Sequence, residues 1–178
     1  MNAQKPIDNE AIRTEHQVCL LLGSNIQPER NLPLAVEQLG DHLTILRASS
    51  VWESPAVGTR GPNFLNAALL CLTPLGAQAL KWQVLRPLEA RLGRVRNQDK
   101  NAPRPIDFDI ITVDGQVIEP GLWQYSFRAV PVAELLPDLS FETGESLAEI
   151  ARQLMVELPV KQRRDLRLCC EPVCLDEV

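Results

Sequence analysis

Residues 102–113, APRPIDFDIITV, lead a polar loop into a strand, and the rest of the chain is read outward from them. Pro103 and Pro105 deny the loop a regular backbone ladder. Beyond them Ile106, Phe108 and Ile110 alternate with Asp107 and Asp109. A period of two places the apolar side chains on one face and both carboxylates on the other, roughly 7 Å apart. Asp114 and Gly115 end the strand.

Upstream, QVCLLLG at 17–23 is a continuous apolar run of the length of a buried strand. Ser24 or Asn25 is expected to cap a following helix, in which Leu32, Ala35, Val36 and Leu39 recur at helical spacing. LTILRASSVWE at 43–53 reads as one strand, SPAVGTRGPN breaks it, and NFLNAALLCLT at 63–73 reads as its hairpin partner. Ala77, Leu80, Val84, Leu88 and Leu92 trace a second helix up to Gly93, with a kink expected at Pro87. Downstream, PVAELLPDL and SLAEIARQLM read as short helices.

The order is β, α, β, β, α, β with further helices after it. This predicts an α+β chain with a ferredoxin-like βαββαβ core, an antiparallel sheet with both crossover helices on one face, and extra C-terminal helices. Residues 1–16 are expected to form a flexible arm, 17–160 a single domain and 161–178 a C-terminal tail.

Composition narrows the functional classes. Apolar residues make up 45% of the 178 and DEKR 23%, the balance of a globular chain. A net charge of −5 provides no basic field for nucleic acid or an anionic membrane, so an anionic ligand must be held locally. No apolar run approaches the roughly 20 residues of a membrane span, and MNAQKPIDNEAIRTEH lacks the apolar centre of a signal peptide. A cytoplasmic protein, monomer or weak homodimer, is expected. Of the five cysteines, Cys19 and Cys71 lie in apolar runs, and Cys169, Cys170 and Cys174 have no fourth metal ligand near them in sequence.

Asp107 and Asp109 can bracket hard cations, and magnesium typically takes one or two protein carboxylates with phosphates and waters. A DxD pair is also what the solvated face of an antiparallel strand carries. The preceding segment separates these readings: Arg91, Arg94, Arg96, Lys100 and Arg104 fall within fourteen residues of an otherwise acidic chain. A cationic loop leading into paired carboxylates has both halves of a phosphoryl-transfer site, and the planar arginine fork suits phosphate oxygens. LLGSNIQPERN, a strand, glycine turn and helix start, lacks the lysine of a P-loop. Phe64 and Asn66 share one strand face, a ring and an amide suited to a flat heterocycle.

LGSN, SSVWESPAVG, GPNFLNA, LEARLGRVR and APRPIDFDI, in this order and spacing, resemble the 6-hydroxymethyl-7,8-dihydropterin pyrophosphokinases of folate biosynthesis from about Gln17 to Leu139. The resemblance implies a ferredoxin-like αβα fold and transfer of pyrophosphate from ATP to the pterin hydroxymethyl group, with two Mg2+ ions. Small-molecule substrates are thus implied, with no nucleic-acid or membrane partner. It makes Asp107 and Asp109 metal ligands. Arg94, Arg96 and Arg104 fall around the polyphosphate, with Arg94 and Arg104 catalytic, and Glu89 lies beside the nucleotide. Asn66 and Phe64 match pterin contacts, Ser54, Pro55 and Val57 the loop along the pterin edge, and Phe127 the stacking ring.

Before Phe127 the pattern departs from the family. A PHP motif and an arginine just before the stacking phenylalanine are usual there, where this chain has the shorter EPGLWQYS. Tyr125 takes the arginine's place, and Arg128 is the nearby cation able to replace it on ATP. Two other readings remain open at this stage: a degenerate paralogue that binds pterin or nucleotide with little or no catalysis, and an interaction module using a sheet edge.

Overall fold

The structure, a computed structural model, describes residues 15–57, 61–96 and 102–168. Its centre is β1 (His16–Ser24), flanked antiparallel by β4 (Phe64–Thr73) and β5 (Asp107–Val113). Beyond β4 lie β2 (Thr44–Ala48) and β3 (Trp52–Ser54), and beyond β5 lies β6 (Gln116–Val117). Strand β7 (Lys161–Gln162) closes the other edge on β3.

Alternation along β1 and β4 divides the apolar side chains between two cores. Val18, Leu20, Leu22, Leu65, Ala67 and Leu69 meet α1 (Pro28–Gly40) and a helical run made of α2 (Ala77–Leu80), a π turn (Lys81–Leu85) and α3 (Arg86–Arg91). Cys19, Leu21, Ala68, Leu70 and Ile111 meet α4 (Ser126–Ala133) and α5 (Leu147–Glu157). Strands covered on both faces read as unbroken apolar runs, which is why β1 and β4 stand out in the sequence. The fold is ferredoxin-like, with both crossover helices on one face and the extra helices on the other.

Some local expectations are corrected and others are given their detail. The single strand over 43–53 is two strands on β4, interrupted where the Ser49 hydroxyl accepts the Ala68 N–H at 2.8 Å and so replaces a ladder bond. At Pro87 the helix answers with a π turn just before it, Arg86 N–H reaching back to the Lys81 carbonyl. A proline in a regular helix would clash with the carbonyl four residues earlier, and the wider turn changes that spacing. Asp114 and Gly115, both at positive φ (50° and 77°), form the tight turn into β6. Helix α4 starts at Ser126, five residues before the expected stretch, and so carries Phe127 and Arg128.

Residues 161–168, placed above at the start of a tail, supply β7, and Leu166 and Leu168 pack on the core. Cys19 and Cys71 are buried, and burial, then the nearby Cys71, pushes the Cys19 thiol up to about 12. The arm up to residue 14, Lys100, and Cys169, Cys170 and Cys174 lie outside the described residues. Among the described residues no helix is long and apolar enough to cross a membrane.

Candidate functional site

Strand register assembles the site. Gly23 pairs with Asn66 on one side and Asp107 on the other, Leu21 pairs with Asp109, and Ser54 pairs with Phe64. These pairings bring residues from four strands to one end of the sheet, where α4 adds Phe127 and Arg128. The resulting cavity, about 270 Å³, is walled by Ser54, Pro55, Val57, Phe64, Asn66 and Phe127, with Asp107, Asp109, Arg104 and Arg128 at its charged side. Gly23 forms part of its wall, and a Cβ there would stand 3.2 Å from Asn66 Oδ1, so the position leaves room for the amide.

Asn66 is buried and donates from Nδ2 to Ser54 Oγ at 2.9 Å, which fixes the plane of its amide. The guanidinium of Arg104 lies 5.9 Å from the Phe64 ring centre, and that of Arg128 lies 5.5 Å from the Phe127 ring. Phe127 also packs against Tyr125, with ring centres 5.3 Å apart.

Asp107 and Asp109 also border a second recess, together with Trp82, Arg86, Arg94 and Arg96. Behind it lies Glu89, 3% exposed, which accepts hydrogen bonds from Arg94, from Arg96 at 2.6 Å and from the Phe108 N–H at 3.2 Å. Burial pushes its carboxyl up to about 6 against the opposing pull of Arg94 and the Phe108 N–H, so it is ionised at neutral pH. Arg94 bridges Glu89 to Asp107, and Arg104 meets the other Asp107 oxygen at 2.6 Å. Gly93, at φ 87°, turns the chain out of α3 so that Arg94 N–H caps the Glu89 carbonyl at 2.9 Å.

Two residues of the site were not anticipated in these roles. Asn25, expected as a possible helix cap, instead accepts the Arg104 N–H at 2.7 Å, donates its own N–H to the Arg104 carbonyl at 3.1 Å, and reaches the Pro62 carbonyl at 3.3 Å. Gln27, in the left-handed region at φ 44°, is the residue before α1, neither it nor Ser24 supplies a side-chain cap, and Pro28 in the first turn needs no N–H partner. Asn25 thereby fixes the loop that carries Arg104. The second is Glu119, which accepts from Arg128 Nη1 and from the Gly121 N–H, each at 3.0 Å. A strand-to-helix turn signals local capping, and nothing in the sequence reveals a partner 79 or 9 residues away.

Asp107 and Asp109 suit a divalent hard cation. They lie on one face at successive outward positions of β5, and burial, then the charge of Asp107, holds the Asp109 carboxyl above its ordinary range. No group of three or more His, Cys, Asp or Glu forms a cage among the described residues. Two carboxylates open to a cleft match magnesium, which retains waters and phosphate oxygens. Of the residues expected at the site, the structure gathers Ser54, Pro55, Val57, Phe64, Asn66, Phe127, Arg104, Arg128 and both aspartates around the first cavity. Arg94 and Arg96 lie at the second recess with Glu89 behind them.

The chain matches the family model described as 7,8-dihydro-6-hydroxymethylpterin-pyrophosphokinase over residues 19–137. The mitochondrial folate synthesis bifunctional protein of Arabidopsis thaliana is 35% identical over 139 residues, 71% of this chain and 24% of that protein. The 2-amino-4-hydroxy-6-hydroxymethyldihydropteridine pyrophosphokinase of Aquifex aeolicus is 34% identical over 132 residues, 68% of this chain and 81% of that protein. The chain therefore spans about a quarter of the plant relative's length and most of the bacterial one's. A crystal structure of Plasmodium falciparum HPPK-DHPS has a similar fold, with a TM-score of 0.61, 9% identity, and coverage of 81% of this chain and 45% of that one.

Proposed function

Because the chain belongs to the 7,8-dihydro-6-hydroxymethylpterin-pyrophosphokinase family, we propose that it transfers pyrophosphate from ATP to the hydroxymethyl group of 6-hydroxymethyl-7,8-dihydropterin. The observation that carries this reading is the placement of Asp107 and Asp109 between a cavity walled by Phe64, Asn66 and Phe127 and an arginine-lined recess. A flat heterocycle fits the first and a polyphosphate the second, so the group to be transferred lies over the carboxylates.

In this reading the pterin stacks between Phe64 and Phe127, with its edge on Asn66 and the Ser54–Val57 loop. Arg94, Arg96 and Arg104 take phosphate oxygens, and Glu89 holds Arg94 and Arg96 in place from behind. Arg128 faces the phosphates from α4. Asp107 and Asp109 would hold the magnesium ions, two in number, which when bound neutralise phosphate charge and polarise the phosphoryl oxygens. The hydroxymethyl oxygen bonds to the β-phosphorus and loses its proton to water. The bond from the β-phosphorus to the oxygen bridging it to the α-phosphate breaks, and AMP leaves with that oxygen. The protein's contribution is placement and charge.

Incubation of the full chain with ATP, magnesium and 6-hydroxymethyl-7,8-dihydropterin tests this, with AMP and pterin pyrophosphate expected in equal amounts. ADP as the nucleotide product, or AMP with free pyrophosphate, contradicts the reading. Tight binding of both substrates with no product identifies a binding paralogue instead.

A further inference from the structure

Arg128 differs from the other arginines of the cleft in how it is held. It extends from the first turn of α4, across the Tyr125 and Phe127 rings, to Glu119 at 3.0 Å and Asp109 at 3.5 Å. Its Nε is buried without a hydrogen-bond partner among the described residues, so the guanidinium is incompletely satisfied where it lies. Glu119 is itself fixed by the Gly121 N–H, and a Cβ on Gly121 would collide with Arg128 Nη1. The chain thus keeps a glycine where the arginine passes and an acid where it ends.

We propose that Arg128, positioned by Glu119, is a displaceable counter-ion of Asp109, released only when a divalent metal and a polyphosphate arrive together. The proposal rests on the pyrophosphoryl-transfer reading above. Asp109 is paired with Arg128, and Asp107 with Arg94 and Arg104. A dication arriving alone must displace these guanidinium groups while remaining beside them, and like charges then oppose it. A polyphosphate removes the conflict, because its oxygens accept the displaced arginines while the carboxylates turn to the metal. Each ligand thereby raises the affinity for the other, by the same factor in both directions. Glu119 acts through Arg128 and is a positioning residue.

The test is titration of Mn2+ into the full chain, read by the relaxation of bound water, with and without the α,β-methylene analogue of ATP. Wild type should bind Mn2+ weakly alone and at least about tenfold more tightly with the analogue. Arg128→Gln should bind Mn2+ alone at least about tenfold more tightly, with the enhancement by the analogue reduced. Lys81→Gln removes a charge from the neighbouring recess, which Asp107 and Asp109 also border, without an ion pair to either carboxylate, and should change Mn2+ affinity by less than about twofold. Arg128→Lys keeps the charge and should remain close to wild type, which separates pairing from misfolding. Glu119→Gln, although it removes a negative charge, should tighten Mn2+ binding by freeing Arg128.

Equal gains in Arg128→Gln and Lys81→Gln would reduce the effect to general electrostatics and overturn the counter-ion role. Weaker Mn2+ binding in Glu119→Gln would overturn the positioning role. A wild-type chain that binds neither the analogue nor Mn2+ with it would instead overturn the transfer reading, and the proposal with it.

Discussion

The two sides of the carboxylate pair are built on different principles. On the neutral side, Asn66 is fixed by Ser54 and by its register opposite Gly23, and Phe64 and Phe127 project from a strand and a helix anchored in the cores. Its shape depends on backbone pairing and would persist without a ligand. On the charged side, Glu89, Arg94, Arg96, Arg104 and Asp107 hold one another. In the proposed reading a metal and a phosphate replace the contacts of Arg94 and Arg104 with Asp107, while Glu89 keeps its hold on Arg94 and Arg96. The neutral side is therefore preformed, and the charged side is poised for exchange.

Substitutions on the charged side should show the largest effects. Asp107→Ala and Asp109→Ala should each abolish detectable magnesium-dependent nucleotide binding by calorimetry while keeping the cooperative melt of wild type, since neither side chain belongs to a core cluster. Nucleotide binding at wild-type strength in either variant would remove the metal assignment and blur the contrast between the two sides. Next in size, Arg94→Lys and Arg104→Lys keep the charge and lose the planar fork, so kcat/KM should fall about tenfold, or about 1.4 kcal/mol. Unchanged rates in both would make the arginine loop a solvated surface.

Smaller effects sharpen the comparison. For Glu89 the folded carboxyl titrates at about 6 against an ordinary 4.5, so the folded chain holds this proton more tightly than the unfolded chain. Its contribution to stability is therefore greatest below pH 4.5 and falls as pH rises to about 6, by about 2 kcal/mol. Urea unfolding at several pH values should show that loss in wild type and not in Glu89→Gln. On the neutral side, Gly23→Ala places a methyl group against the Asn66 amide, and the pterin KM should rise a few-fold, on the order of 1 kcal/mol, with nucleotide affinity unchanged.

The strands were more legible in the sequence than the contacts that fix the charged loops. Continuous apolar runs disclosed β1 and β4, the period-two pattern around Asp107 disclosed β5, and once strands are known their neighbours follow. The residues that fix the charged loops act over distance: Asn25 binds Arg104 from across the site, and Glu119 meets Arg128 only because a 3-10 turn (Pro120–Trp123) folds the chain between them. Strands β6 and β7, two residues each, are too short to show a period. The break at Ser49 was hidden because a serine hydroxyl in place of a backbone bond leaves a strand-like composition unchanged.

The division of labour across the cleft is tested most directly by fluorescence titration of a 6-hydroxymethylpterin analogue into wild type, Asn66→Ala, Phe127→Ala and Asp109→Ala, without nucleotide. Wild type and Asp109→Ala should bind alike, whereas Asn66→Ala and Phe127→Ala should each lose at least about tenfold, about 1.4 kcal/mol. Pterin binding that disappears in Asp109→Ala and survives in Asn66→Ala and Phe127→Ala would contradict the assignment of the two sides.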